Sequence, residues 1–248
     1  NVNKQSAHLL DEIRQAFTEG NQEKAEMLTR QNFNSEVSYD ADGETPFRFG
    51  SFTTMGEFYV ETGLNIIGMS DYKRILSLDS AMAVVQFKKD HVAYQRNYFI
   101  SYPANVMVMR FSADQPGKQN LVFSYAPNPV STGNMASDGN KGLVYSASLD
   151  NNGMKYVVRI QAETKGGTLS NADGKLAVKG ADEVVFYITA DTDYKPNFDP
   201  DFKDPKTYVG VNPEETTKEW MNNAVSQGYT ALFSQHYNDY AALFDRVS

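Results

Sequence analysis

Between Pro46 and Asp191 the apolar runs have strand length and a period of two, and no long helix separates consecutive runs. Arg74 to Asp79, Ala81 to Phe87, Val92 to Ile100 and Val106 to Phe111 are the first of these, broken at Lys89-Asp90 and Pro103-Ala104-Asn105. Leu121 to Tyr125, Leu143 to Leu149, Met154 to Ala162, Leu176 to Val178 and Val184 to Ala190 continue the series. The connections carry turn chemistry: Asn151-Asn152-Gly153, Lys165-Gly166-Gly167 and Ala172-Asp173-Gly174. Parallel strands need a crossover helix, so βαβ architecture is excluded. The expectation is a mainly β chain of at least ten antiparallel strands in sheets packed face to face.

Two strands indicate how they are covered. Met154, Tyr156, Val158, Ile160 and Ala162 share one face, while Lys155, Arg159, Gln161 and Glu163 lie on the other, which should be wet. Val184 to Ile188 is apolar on both faces, so something must pack on each side of it.

Helical spacing brackets this β region. Leu9, Leu10, Ile13, Ala16 and Phe17 mark a first helix that Gly20 is placed to end, and Asn21 is a cap for a second through about Arg30. A turn-rich stretch spans 32–43. After Ala190 an acidic, proline-punctuated loop runs to Pro213; a helix carrying Trp220, Ala224 and Val225 then stops at Gly228, and another covers Tyr229 to Phe244. The chain thus divides into a helical stretch and loop over 1–45, a sandwich over 46–212 and helices over 213–248.

Composition narrows the function classes. The 248 residues hold 23 Lys and Arg against 31 Asp and Glu, a net charge of −8 without a basic run, which excludes nucleic acid and anionic membrane surfaces as partners. With no cysteine there are no disulfides, thiolate metal sites or cysteine nucleophiles. No apolar run approaches the roughly 20 residues that span a bilayer, and the start, at Asn1 rather than Met, reads as a processed or excised end without a signal peptide.

Four segments, in order, carry a resemblance to a known family. They are "LLDEIRQAFTEGNQEKAEML" from Leu9, "MGEFYVETG" from Met55 leading into "DYKRILSLDSAMAVVQF" from Asp71, "VAYQRNYFISYPANVMVMRFSA" from Val92, and "HYNDYAALFDRV" from His236. Together they resemble the N-terminal region of glycoside hydrolase family 95, of the α-L-fucosidase type. The resemblance implies a β-supersandwich with a helical insertion near its start, then a linker helix and an (α/α)6 barrel that holds the catalytic groups. Ser248 falls where that barrel should begin. The family's opening segments, of Leu-Pro-x-Gly-Asn-Gly and Asn-Glu-x-Thr-Leu-Trp type, have no counterpart, which leaves room for the sandwich to lack strands.

What the resemblance implies for function is a non-catalytic sandwich that supports and partly walls the active site of a secreted bacterial enzyme. That enzyme would remove α-L-fucose or L-galactose from glycans with inversion and without a cofactor, in a periplasmic or extracellular location. The downstream barrel of the same polypeptide would be its partner, and carbohydrate only indirectly. A stand-alone carbohydrate-binding module and a structural cell-surface sandwich are the alternatives.

No catalytic, cofactor-binding or metal residue is assigned. Glycoside hydrolysis needs two carboxylates flanking the bond, and no pair stands out. The acidic cluster Asp191, Asp193, Asp199, Asp201 and Asp204 opens like a calcium loop, but Lys195 occupies a ligand position and no Gly follows, so a solvated loop is expected. His8, His91 and His236 are isolated and lack zinc spacing, which points to surface or linker roles. No Gly-x-Ser-x-Gly elbow is present. Arg96 shares a face with Tyr94 and Tyr98, beside Phe99, so stacking across the sheet or a salt bridge explains it. Trp220 reads as the docking anchor of its helix. Trp220, Leu232, Phe233, Tyr240, Leu243 and Phe244 should pack on the sandwich or on a neighbouring copy, and the excised chain is expected to be capable of self-association through them.

Overall fold

The computed structural model describes residues 6–33, 53–150, 152–198, 204 and 206–246. They fall into two compact units that divide after residue 51.

In the first unit a 3₁₀ turn (Ala7–Leu9) leads into α1 (Leu10–Thr18) and then α2 (Gln22–Phe33). Gly20, at φ 72°, ends α1, and the Asn21 Oδ1 accepts from the Lys24 amide at 3.1 Å as an N-cap. Ile13, Ala16 and Ala25 are buried together with Leu28 against them. α2 runs to Phe33, so residues 32 and 33 of the expected turn-rich stretch are helical; its remainder, from residue 34, lies outside the described residues.

The second unit has twelve described strands, all paired antiparallel. They are β1 (Gly56–Glu61), β2 (Met69–Ser77), β3 (Met82–Lys89), β4 (Val92–Ser101), β5 (Val106–Ala113), β6 (Gln119–Pro127), β7 (Ser131–Asp138), β8 (Gly142–Leu149), β9 (Lys155–Lys165), β10 (Thr168–Ala172), β11 (Lys175–Ala181) and β12 (Glu183–Thr192). One sheet has four strands in the order β1-β6-β11-β10, the other eight in the order β2-β3-β4-β5-β12-β9-β8-β7. The expected antiparallel β-supersandwich with flanking helices is the observed fold class.

Turn residues account for the tight hairpins. Asp90 and His91 both take positive φ between Lys89 and Val92, and Asp173 and Gly174 do so between Ala172 and Lys175, the geometry of type I′ turns. His91 is thus an exposed turn residue, as its position suggested.

The main core lies between the sheets. Phe123 of the small sheet stacks on Phe186 of the large one with centroids 4.6 Å apart, and Phe111 meets Phe186 edge-on. Leu143, Ile160, Leu176 and Val184 are fully enclosed around them.

A second core lies on the opposite face of the large sheet, under α3 (Pro213–Phe244). Val185 and Tyr187 of β12 point here while Val184, Phe186 and Ile188 point inward, which is the double covering expected of that strand. Gly228, at φ 71° and ψ 171°, breaks α3 into two helical segments. Met221 and Ala224 come from the first segment and Leu232 from the second, all buried against Phe99, Val106 and Val108. Each large apolar side chain so buried stabilises by about 1.5–3 kcal/mol.

Three expectations fail here for one reason, the path of α3. The supposedly wet face of β9 is covered, since Val157 and Arg159 lie beneath the helix. Trp220 is only half-buried, and its neighbour Met221 is the enclosed anchor. His236 has no surface role, being 5% exposed, with Nε2 3.1 Å from the Ser80 carbonyl and its ring stacked on Phe99 at 5.0 Å.

Candidate functional site

The stretch most like the family lies on β4 and splits between the two cores. Tyr94, Arg96 and Tyr98 face the small sheet; Phe99 faces α3, where Tyr229 and Phe233 meet it edge-on at 5.8 and 5.7 Å. The Arg96 guanidinium lies over the rings of Phe87 (5.0 Å) and Phe111 (5.6 Å), its neighbours across β3 and β5. Phe87 also stacks on Tyr94 at 5.1 Å. Of the two structural explanations, stacking is therefore the one realised, and Arg96 forms no ion pair among the described residues.

Register places a polar row on the helix-bearing face of the large sheet. Lys73, Gln86, Gln95, Ser112, Glu183 and Lys165 lie opposite one another on six successive strands. Gln86 Nε2 donates to Gln95 Oε1 at 3.0 Å, and Gln95 Nε2 donates to Asn97 Oδ1 at 3.0 Å, so the amides point along the sheet in a relay. Where the row nears the β2 edge it opens into a groove also lined by Asp71, Lys88 and Asp114. Such a surface can hydrogen-bond a polyol. Its two described carboxylates already have partners: Asp71 holds Lys88 at 2.8 Å, and Asp114 accepts the Ala93 amide at 2.9 Å. The Lys88 ammonium keeps the Asp71 carboxyl below the usual carboxylate range.

Further carboxylates converge where α3 meets the sheet, again in paired form. Arg110 Nη2 is 2.5 Å from Glu183, and its guanidinium lies over the Tyr229 ring at 4.8 Å. Burial opposes that charge, but Glu183 and the Tyr229 hydroxyl outweigh it and raise the arginine above its ordinary value. Tyr187 donates to Glu163 at 2.9 Å; burial first, then this carboxylate, pushes its phenol well above the normal range. Arg159 binds Asp138 at 2.5 Å and Glu214 at 3.0 Å. These groups were not found in the sequence because their partners lie at least 21 residues away. One signal was available: Val157 sits beside Arg159 on a face taken to be wet.

The remaining candidates do not assemble. In the acidic loop Asp193 accepts the Lys155 amide at 2.9 Å, Asp191 the Thr192 amide and Asp204 the Lys206 amide, all roles in shaping backbone. Asp199 and Asp201 lie outside the described residues. His8, His91 and His236 lie on separate elements, and no group of three or more His, Asp or Glu among the described residues could hold a metal ion.

Two antiparallel sheets with a helix sealed onto the larger one, and carboxylates occupied in ion pairs and caps, define a β-sandwich domain whose helix belongs to its own core. More particularly, the chain belongs to the glycosyl hydrolase family 65 N-terminal domain, whose sequence model matches residues 1–197. It is similar to an alpha-fucosidase A of Aspergillus niger, at 28% identity over 83% of this chain and 26% of that protein. It is also similar to alpha-L-fucosidase 2 of Arabidopsis thaliana, at 26% identity over 72% of this chain and 23% of that protein. The chain thus spans about a quarter of the length of these relatives. A solved structure described as a kojibiose phosphorylase from the human microbiome shares the fold, with a TM-score of 0.52 at 9% identity over 74% of this chain and 27% of that one.

Proposed function

We propose that this chain is the non-catalytic sandwich domain of a family 95 glycoside hydrolase that removes α-L-fucose, or the similar L-galactose, from glycans. The observation that supports this reading is the pairing of lengths: proteins named as alpha-fucosidases align with most of this chain, while the chain covers about a quarter of each. The bond-cleaving groups then belong to the rest of the polypeptide, an (α/α)6 barrel that this domain supports and partly walls. Inversion with water, no cofactor and a secreted bacterial setting, periplasmic or extracellular, complete the proposal, the location following from the glycan substrate.

In this role α3 is both part of the domain's core and the path toward the barrel. Its inner face is spent on the large sheet, and its outward Tyr237 and Leu243 are left for the next domain.

The test is hydrolysis of an aryl α-L-fucoside by this chain and by the polypeptide extended past Ser248 in its native frame. The extended protein should release fucose as the inverted anomer, seen by proton NMR within the first turnovers, and the chain alone should match the buffer rate. Turnover by the chain alone, abolished by Glu163→Gln or Glu183→Gln, would overturn the reading. So would a native frame that stops at Ser248.

A further inference from the structure

The two ends of the large sheet differ in character. Strand order and register put the turns after β3, β5, β7 and β9 at one end, and the turns after β2, β4, β6 and β8, with the loop after β12, at the other. At the first end the turns are Asp90-His91, Asp114 to Lys118, Gly139 to Lys141 and Gly166-Gly167, without a large exposed apolar side chain; Ile66 and Ile67, ahead of β2, are the exception there. The second end is different. Leu78, Tyr102 and Val130 stand exposed in the turns after β2, β4 and β6, and Tyr194, Phe198 and Val211 in the loop after β12. Tyr102 is 81% and Phe198 98% exposed, so nothing in the described residues covers them.

α3 joins the sheet and leaves it at this second end. Its first segment starts beside the C-terminal half of β12, where Thr189 Oγ1 donates to the Thr217 carbonyl at 3.0 Å. It runs toward the opposite end as far as Gly228, where Tyr229 carries the Arg110 guanidinium on its ring. The second segment then turns back: Phe233 lies against Phe99, and His236 meets the Ser80 carbonyl in the turn after β2. The chain from Tyr237 onward thus continues at the end where the apolar side chains are exposed.

We propose that this end is the surface on which the polypeptide following α3 docks, an inference that rests on the function proposed above. Large apolar side chains concentrated on one exposed surface mark an interaction site. The relatives supply the length, since this chain covers about a quarter of each. A domain joined directly to α3 meets the adjoining surface at high effective concentration, so modest contacts hold it there. The polar end is the weaker contender, being remote from the helix exit and built of charged residues and glycine.

Hydroxyl-radical footprinting reads side-chain exposure in this chain and in the polypeptide extended past Ser248 in its native frame. Tyr102 and Phe198 should oxidise readily in the chain alone and lose most of that reactivity in the extended protein, while Ile66 and Ile67 react equally in both. In the extended protein, Tyr102→Asp together with Phe198→Asp should restore oxidation at Leu78 and Tyr194 with the circular dichroism unchanged. Equal reactivity of Tyr102 and Phe198 in the two proteins overturns the proposal, as does protection that is already present in the chain alone or that falls on Ile66 and Ile67 instead. A native frame that ends at Ser248 removes the occupant and overturns it too. Fucoside turnover is a separate readout: an extended protein protected at this end but inactive keeps the docking surface and loses the substrate, and turnover without protection does the reverse.

Discussion

Arg159 Nη2 stands 3.0 Å from Glu214 Oε2, tying the middle of β9 to the first turn of α3. The guanidinium is almost enclosed, with 7% of its side chain exposed, and Asp138 takes its other amino group. Glu214 also lies where the helix dipole favours negative charge, just after the Asn212 cap and Pro213. Both carboxylates are about two-fifths exposed, so water can re-solvate them once the arginine is gone, which lowers the cost below that of a fully buried pair. Arg159→Ala should therefore destabilise by about 1–3 kcal/mol in urea unfolding, with Asp138→Asn costing less. An Arg159→Ala chain as stable as wild type would show that the clamp contributes nothing.

The docking of α3 rests on Met221 and Leu232 rather than on Trp220. Leu232→Ala should cost about 2–5 kcal/mol, because its pocket between Phe99 and the helix cannot collapse without moving the strand. Trp220→Ala, at a half-buried position, should cost clearly less. Hydrogen exchange across 213–244 resolves the two, since loss of protection confined to that segment reads undocking rather than global unfolding. A larger effect from Trp220 would restore it as the anchor.

Gly228 sits at φ 71° and ψ 171°, a backbone region reserved almost wholly for glycine. A Cβ placed there would meet nothing within 4 Å, so Gly228→Ala tests backbone strain alone. The expected cost is about 1–3 kcal/mol. If the strain is relieved by continuing the helix through residue 228, Leu232 and His236 will leave the sheet, and the His236 ring will lose its stacking on Phe99. Ring-current shifts in the NMR spectrum report that change directly.

Alkaline pH should loosen the molecule through its enclosed phenols. Burial, first among the causes, raises Tyr125, Tyr156, Tyr187 and Tyr229 above the ordinary value of 10.0. Tyr187 is raised further by Glu163, whereas Arg110 partly offsets the rise at Tyr229. Above pH 10 the unfolded chain releases these protons while the native chain keeps them. The stability they confer is therefore whole below pH 10 and is lost as pH rises toward the folded values. Absorbance at 295 nm should show these groups ionising together with unfolding; smooth ionisation of all tyrosines near pH 10 in a folded chain would contradict it.

The strands of the sheet interiors were legible because their side chains record their own burial. Val184 to Ile188, apolar on both faces, announced two coverings, and β3, β4, β5, β8, β9 and β12 follow from similar runs. The strands that escaped notice, β1, β7 and β10, are all sheet edges, and β2, the fourth edge, was displaced toward its C-terminal end. An edge strand is held by backbone pairing with one neighbour and half faces solvent, so its residues need little apolar pattern. The same division holds for the polar groups. That Arg96 would stack across its strand could be read from Tyr94 and Tyr98 beside it, since cross-strand neighbours follow from alternation. The pairing of Arg159 with Glu214, or of Arg110 with Tyr229, could not be, because it depends on where a helix more than fifty residues further along the chain comes to rest. The alternating residues determined the sheets; the path of α3 across the outer face, set by the packing of Met221, Leu232 and Phe99, decided which polar side chains of the sheet meet the helix.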